Sequence, residues 1–168
     1  YYYIIKTGKV SVSRKADKTG KVSLLAQLGD GDGFGEEALL SGAPRNATVV
    51  MLTDGVLMQL TRKDFDELMR EPLVKWVTLD EARVQAQAGA RLLDVRTEDE
   101  YRNGTIKGSV NMPLYLLRLK AASLDPKSHY IVFCQTGSRS CAAAFLLSQR
   151  GFEVSVLRGG LGGLSHTA

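Results

Sequence analysis

The sequence predicts two domains: a truncated antiparallel β-barrel over residues 1–73, then an α/β domain with a central parallel sheet over residues 74–168. Two patterns carry this prediction. In the first half, short alternating apolar and polar runs are separated by closely spaced turn signals, which is typical of antiparallel structure. In the second half, apolar strand-like runs alternate with helical segments, an order that favours a parallel sheet covered by helices.

The composition is that of an ordinary globular protein, with 44% apolar and 24% charged residues. No apolar stretch is long enough to cross a membrane, no secretory signal is present, and no cysteine and histidine residues have zinc-site spacing. The net charge of +4 arises within residues 74–168, which hold twelve Lys/Arg and eight Asp/Glu. These bases are scattered, so they are expected to steer small anions, and nucleic-acid binding is not expected.

The first elements follow from short patterns. The chain begins at Tyr1, without an initiating Met and already inside a strand pattern, which is typical of a fragment. Strands are predicted near residues 4–5, 10–12 and 22–28. A polar turn containing Gly20 separates the second and third of these strands, and a glycine-rich turn follows over residues 29–35.

The segment FGEEALLSGAPRNATV is the first in the chain whose pattern indicates a ligand-binding site. Gly35 permits a tight turn, and Glu36 opens a single helical turn whose backbone N–H groups point outward. Arg45 follows nine residues after Glu36, beyond Pro44. An acid and an arginine beside a short helix N-terminus suit a ligand that has both a hydroxyl and a phosphate.

This segment resembles the phosphate-binding cassette of cyclic nucleotide-binding domains of the cAMP-receptor and kinase-regulatory-subunit type. The resemblance implies that Arg45 holds the cyclic phosphate and Glu36 the ribose 2′-hydroxyl. The residues that would form the nucleotide site are Gly35, Glu36, Ala38, Leu39, Arg45, Asn46 and Ala47. Asn46 leaves cAMP and cGMP as open alternatives for the ligand. Trp76, or a partner subunit in a homo-oligomer, is a candidate cover for the base.

A helix is predicted to start at Asp64, and Pro72 is expected to stop or kink it. The domain boundary is placed near residues 70–77. The next helix begins with a capping box formed by Thr78 and Glu81, and Gly89 ends it. The spacing of Leu79, Ala82 and Ala86 places them on one face of this helix. Strands are predicted to follow near residues 91–95, 109–111, 130–134 and 153–157.

The segment CQTGSRS is the most informative part of the chain. Cys134 lies between an apolar strand and a helix that Gly151 closes, a position where backbone N–H groups converge and lower a thiol pKa. Arg139 adds a cation that does not titrate. Four residues separate Cys134 from Arg139, whereas cysteine-type phosphatases have five. The smaller loop suits a single sulfur atom better than a tetrahedral phosphate.

The loop resembles the active-site loop of rhodanese-type sulfurtransferases, and the upstream segment RLLDVRTEDEYRNGTIKGSVNMPL resembles the pattern of the same family. The resemblance implies that Cys134 and Arg139 are catalytic and that the loop cradles the sulfur. The cradle residues are Gln135, Thr136, Gly137, Ser138 and Ser140. Asp94, Arg96 and Glu100 are assigned structural ion-pair roles near the site.

Two departures from the family pattern affect the expected donor. Thr105 replaces a histidine, and Gln135 replaces an arginine that many members carry. With one fixed cation instead of two, thiosulfate would be held weakly, while a persulfide remains compatible as the sulfur donor.

The expected function is sulfur transfer through a persulfide on Cys134, regulated by a cyclic nucleotide as allosteric ligand. The donor is a small anionic sulfur compound, and the acceptor is a thiol or cyanide. No metal or other cofactor is required, no membrane association is expected, and a reduced thiol fits the cytoplasm.

Two alternatives stay open: a non-catalytic sensor whose Cys134 loop docks anions or proteins, and a small phosphatase or arsenate reductase, against which the short loop argues. Cys141 is expected to be buried and silent.

Overall fold

The computed structural model describes residues 1–15 and 21–164 of the chain. The chain divides into two compact units, Tyr1–Leu68 and Met69–Ala168. The predicted polar turn containing Gly20 lies outside the described residues.

The first unit consists of two three-stranded antiparallel sheets and a short helix, α1, at Glu36–Ser41. One sheet has the order β4-β1-β6 and the other the order β3-β2-β5. The strands are β1 (Tyr2–Thr7), β2 (Val10–Lys15), β3 (Val22–Leu28), β4 (Gly33–Phe34), β5 (Thr48–Met51) and β6 (Val56–Leu60). The predicted antiparallel architecture of this half is therefore confirmed.

Alternation along the first two strands creates the core of this unit. Ile5, Val10 and Val12 are buried together with Leu28, because residues two apart in a strand face the same side of the sheet. Gly33 is required by close packing, since a Cβ atom there would lie 1.9 Å from the hydroxyl oxygen of Tyr2.

The helical segment after β6 differs in detail from the expectation. Helix α2 (Arg62–Phe65) begins at the Thr61 cap, a π-helical stretch covers Asp66–Arg70, and α3 (Glu71–Leu73) continues past Pro72. Proline is tolerated here because it occupies the first turn of α3, where its missing N–H is not needed. The helical path changes its winding before Pro72 and ends one residue after it.

The second unit contains a five-stranded sheet with the order β7-β11-β10-β8-β9, in which every neighbouring pair is parallel. Its strands are β7 (Lys75–Val77), β8 (Arg91–Asp94), β9 (Val110–Asn111), β10 (His129–Phe133) and β11 (Glu153–Leu157). The parallel α/β architecture predicted for this half is confirmed, and β10 occupies the centre of the sheet.

Helices connect these strands: α4 (Leu79–Gln87), α5 (Glu98–Arg102), α6 (Leu114–Lys120), α7 (Ser138–Ser148) and α8 (Gly160–Leu164), with a 3₁₀ turn at Ala121–Ser123. The predicted capping box at Thr78 and Glu81 is confirmed, and Thr97 and Glu100 form a second one at the start of α5. Helix α7 is buried over most of its length, so the element that follows the Cys134 loop is fixed in the core. Within the described ranges, no helix has the length and apolar character needed to cross a bilayer.

Candidate functional site

The Cys134 loop lies at the carboxyl end of the central strand of the parallel sheet. Strand β10 ends at Phe133, and α7 begins at Ser138, so four residues make the turn between them. Gly137 caps α7 with a φ of 102°, a conformation that glycine adopts without strain. The carboxyl ends of strands are the edge at which open α/β sheets bind ligands.

Hydrogen-bond donors converge on the sulfur of Cys134. The amide nitrogen of Gly137 lies 3.1 Å from Sγ, and the Ser140 hydroxyl donates to Sγ at 3.5 Å. The side chain is 1% exposed, and its burial raises the thiol pKa. Hydrogen bonds from the side chain and amide of Ser140, and from the amides of Thr136 and Gly137, outweigh burial and hold the pKa of Cys134 below its ordinary value. These hydrogen bonds therefore make the Cys134 thiol more acidic than an ordinary cysteine.

Arg139 is fixed beside this loop by Glu100. Its two terminal nitrogens each donate to one oxygen of the Glu100 carboxylate, both at 2.7 Å. The hydrogen bond from Arg139 is the main cause that lowers the pKa of Glu100 to about 2, against the opposing effect of burial, with help from Thr97. The same hydrogen bond is the main cause that raises the pKa of Arg139, against the opposing effect of burial, and the charges of Glu100 and then of Cys134 add to it.

Asp94 and Arg96 form a separate buried ion pair behind the loop. The carboxylate of Asp94 accepts from the backbone amide of Arg96 at 3.0 Å and from its guanidinium at 2.7 Å. Thr105, which stands where the related pattern has histidine, donates to Asp94 at 2.8 Å. The three residues grouped in the sequence analysis therefore divide into an Asp94–Arg96 pair and a Glu100–Arg139 pair.

Two neighbours of the loop were not assigned to the sulfur site from the sequence. The indole of Trp76 packs against Gly137, where an added Cβ atom would lie 3.3 Å from the ring. Helix α8 approaches from the other side, and the amide of Leu161 donates to the carbonyl oxygen of Cys134 at 2.9 Å. Only the repeated glycines around α8 signalled this close approach in the sequence.

Comparisons with known proteins identify the families of both halves of the chain. Residues 78–166 match the rhodanese-like domain family, which is more than half of the chain. The chain belongs to the rhodanese-like family. Residues 1–71 match the cyclic nucleotide-binding domain, so the chain combines both domains.

Individual relatives cover one domain or the other. A sulfurtransferase from Allochromatium vinosum is 31% identical over 71 residues, which are 42% of this chain and 66% of the relative. The cyclic AMP receptor protein of Thermus thermophilus is 40% identical over 73 residues, 43% of this chain and 33% of the relative. The structure of a rhodanese-related protein from Thermoplasma volcanium superposes with a TM-score of 0.51 at 32% identity, over 53% of this chain and 88% of that chain. The chain thus spans less than two thirds of these two curated relatives.

The cyclic nucleotide-binding domain brings Arg45 to the start of α1. The Arg45 guanidinium donates to the carbonyl oxygen of Gly35 at 2.8 Å and to that of Tyr1. Glu36 is 3% exposed, and the side-chain amide of the exposed Asn46 donates to the Glu37 carboxylate at 2.6 Å. The remaining predicted site residues have packing roles: Leu39 is buried, Ala47 packs against the core, and the carbonyl of Ala38 accepts from Gly42.

Replacing Ser140 with alanine is expected to raise the thiol pKa of Cys134 in the rhodanese-like domain, because the thiolate loses one donor. Alkylation by iodoacetamide at pH 7 should slow by about tenfold, the effect of one hydrogen bond to a charged group. The measurement is the pH dependence of alkylation, followed by intact mass. Ser148→Ala is the matched control, since Ser148 lies at the opposite end of the same helix, α7. Equal midpoints for both variants would contradict this role of Ser140.

The Glu100–Arg139 pair is expected to stabilise the rhodanese-like domain in a pH-dependent way. The folded-state pKa of Glu100 is depressed from 4.5 to about 2, so its contribution is fully present above pH 4.5 and is lost as the pH falls toward 2. The free energy of unfolding in urea should be lower for Glu100→Gln than for wild type at pH 7. This difference should shrink as the pH falls from 4.5 toward 2. Glu153→Gln, at the exposed start of β11, should show no such convergence.

Proposed function

We propose that the rhodanese-like domain is a sulfurtransferase that carries sulfane sulfur as a persulfide on Cys134. The observation that supports this most directly is the set of donors, from Gly137 and Ser140 among others, directed at Sγ. A thiolate that is both stabilised and confined in a small loop is suited to bind one more sulfur atom. Cys134 and Cys141 are not joined in a disulfide, which fits the cytoplasm, where we place the protein.

In the first half-reaction, the Cys134 thiolate attacks the outer sulfur of the donor. With thiosulfate, a bond forms between Sγ and that sulfur, the sulfur–sulfur bond of the donor breaks, and its electron pair leaves with sulfite. The product is a cysteine persulfide whose outer sulfur carries the negative charge. Amides of the loop and the charge of Arg139 stabilise that anion in the manner of an oxyanion hole.

In the second half-reaction, an acceptor removes the outer sulfur. Cyanide attacks that sulfur and leaves as thiocyanate, or a thiolate attacks it and becomes a persulfide. In both cases the bond to Sγ breaks, and its electron pair restores the Cys134 thiolate. No metal or redox cofactor takes part in this balance.

The charge of the site indicates which donor is preferred. Both terminal nitrogens of Arg139 donate to Glu100, so this carboxylate offsets part of the charge that Arg139 presents to an anionic donor. Gln135 and Thr136 form the exposed part of the loop, and neither is charged. We therefore propose a persulfide as the better donor and thiosulfate as the poorer one.

The test is the intact mass of the protein after incubation with thiosulfate or with glutathione persulfide. A gain of one sulfur atom, lost again on addition of cyanide, supports the transfer. No gain from either donor, in a sample whose circular dichroism shows a folded protein, contradicts it. Release of phosphate from an aryl phosphate would favour the phosphatase alternative instead.

We also propose a cyclic nucleotide as a regulatory ligand of residues 1–71. The supporting observation is that Arg45 lies beside Gly35 at the start of α1, next to the buried Glu36. Titration calorimetry with cAMP and cGMP should give heat with at least one of them. Arg45→Gln should weaken that binding by about tenfold to a hundredfold, because a charge-assisted pair with phosphate is lost. Lys63→Gln is the exposed control, and absence of heat from both nucleotides would contradict the proposal.

A further inference from the structure

Helix α8 holds the outer side of the Cys134 loop through backbone hydrogen bonds. The amide of Leu161 donates to the carbonyl oxygen of Cys134 at 2.9 Å. The amide of Gly162 donates to the carbonyl oxygen of Gln135 at 2.8 Å. Two consecutive peptide groups of the loop are therefore fixed by one short helix that follows β11.

Fixing a carbonyl also fixes the amide on the same peptide plane. In a trans peptide the C=O and the N–H point in opposite directions. Because the Gln135 carbonyl is held toward α8, the N–H of Thr136 is turned away from α8. A hydrogen bond from this N–H is one of the causes that lower the pKa of the Cys134 thiol. The carbonyl that α8 holds and the N–H that acts on the thiol therefore belong to one rigid peptide group.

The approach of α8 requires glycine at two positions. A Cβ atom at Gly160 would lie 2.3 Å from the carbonyl oxygen of Cys134, closer than any real contact. A Cβ atom at Gly162 would lie 3.1 Å from the carbonyl oxygen of Gln135, so the loop would have to shift by a few tenths of an ångström. At Gly163 the nearest atom would be the Arg158 carbonyl oxygen at 3.5 Å, an ordinary contact.

We propose that Gly160 and Gly162 are positioning residues that aim the Thr136 amide at Cys134 Sγ by letting α8 hold the loop carbonyls. The inference deepens the proposed sulfur transfer, on which its relevance to turnover rests. Side chains at these positions would push the two carbonyls away from α8 and rotate the amides of the loop away from the sulfur.

The test is a graded series in the full chain carrying Cys141→Ser, so that only Cys134 is alkylated. The rate with iodoacetamide is measured against pH for Gly160→Ala, Gly162→Ala and Gly163→Ala. We expect the pH midpoint of alkylation to rise more where the added Cβ atom lies closer to its neighbour. The rise should be largest for Gly160→Ala, smaller for Gly162→Ala and absent for Gly163→Ala. At pH 7 the rate of Gly162→Ala should fall by about threefold or more, as the sulfur loses part of a charge-assisted hydrogen bond.

Gly162→Ala and Gly163→Ala are matched, because both add a helix-favouring methyl group to α8. Equal midpoints for the two, with equal stability to urea, would overturn the proposal. If wild type forms no persulfide but the graded shift is present, the positioning role stands and the sulfur-transfer proposal fails.

A second measurement does not depend on the variants folding. In the wild-type protein, the Thr136 amide proton should move downfield in NMR spectra as Cys134 loses its proton. An unchanged Thr136 resonance through that titration would overturn the proposal.

Discussion

Cys134→Ser is expected to abolish sulfur loading, the largest functional effect of any single substitution in this chain. A serine hydroxyl has the same shape but does not ionise in the accessible pH range, and it forms no persulfide. The mass gain after incubation with a persulfide donor should disappear entirely.

Cys141→Ser is the matched control for this change. Cys141 is 4% exposed on α7, one residue beyond the Ser140 donor. It should keep the full mass gain. If the mass gain survives in Cys134→Ser but is lost in Cys141→Ser, Cys141 carries the sulfur and the proposed site is refuted.

Asp94→Asn is expected to cost the rhodanese-like domain about 3–5 kcal/mol of unfolding free energy, the usual effect of removing one partner of a buried ion pair. Asp94 is 0% exposed and Arg96 is 5% exposed, so the substitution leaves a guanidinium charge buried without its counterion. The hydroxyl of Thr105 also loses its anionic acceptor.

Urea denaturation followed by the fluorescence of Trp76 measures this effect in the correct domain, because Trp76 is the single tryptophan and lies in β7. Asp80→Asn is the control, since the Asp80–Arg83 pair is exposed and should contribute less than about 0.5 kcal/mol. A loss below about 1 kcal/mol for Asp94→Asn would show that the pair is not a stabilising element.

The features that sequence alone predicted are those set by near neighbours in the chain. The Thr78–Glu81 capping box and the parallel strands follow from local spacing, and both are present. The turn between β10 and α7 is also local, because a turn of four residues, one of them a glycine, leaves few conformations open to the backbone.

The features that sequence missed depend on residues far apart. Glu100 and Arg139 are 39 positions apart, and the residues around each of them do not indicate that the two side chains form an ion pair. The contact of Trp76 with Gly137 is likewise a product of the strand order. The helix ends at Leu73, one residue after Pro72, as expected, but the π-helical stretch over Asp66–Arg70 was not predicted.

The strand order of the parallel sheet has a consequence for how the domain folds. Within this sheet, β7 comes first in the sequence and pairs with β11, which comes last, with Ser155 opposite Lys75. During synthesis β7 therefore has no neighbour until about eighty further residues have left the ribosome, and such distant pairings slow folding. Since α8 follows β11, the carbonyl groups of Cys134 and Gln135 gain their hydrogen bonds from Leu161 and Gly162 only after the last of these strands has been synthesised.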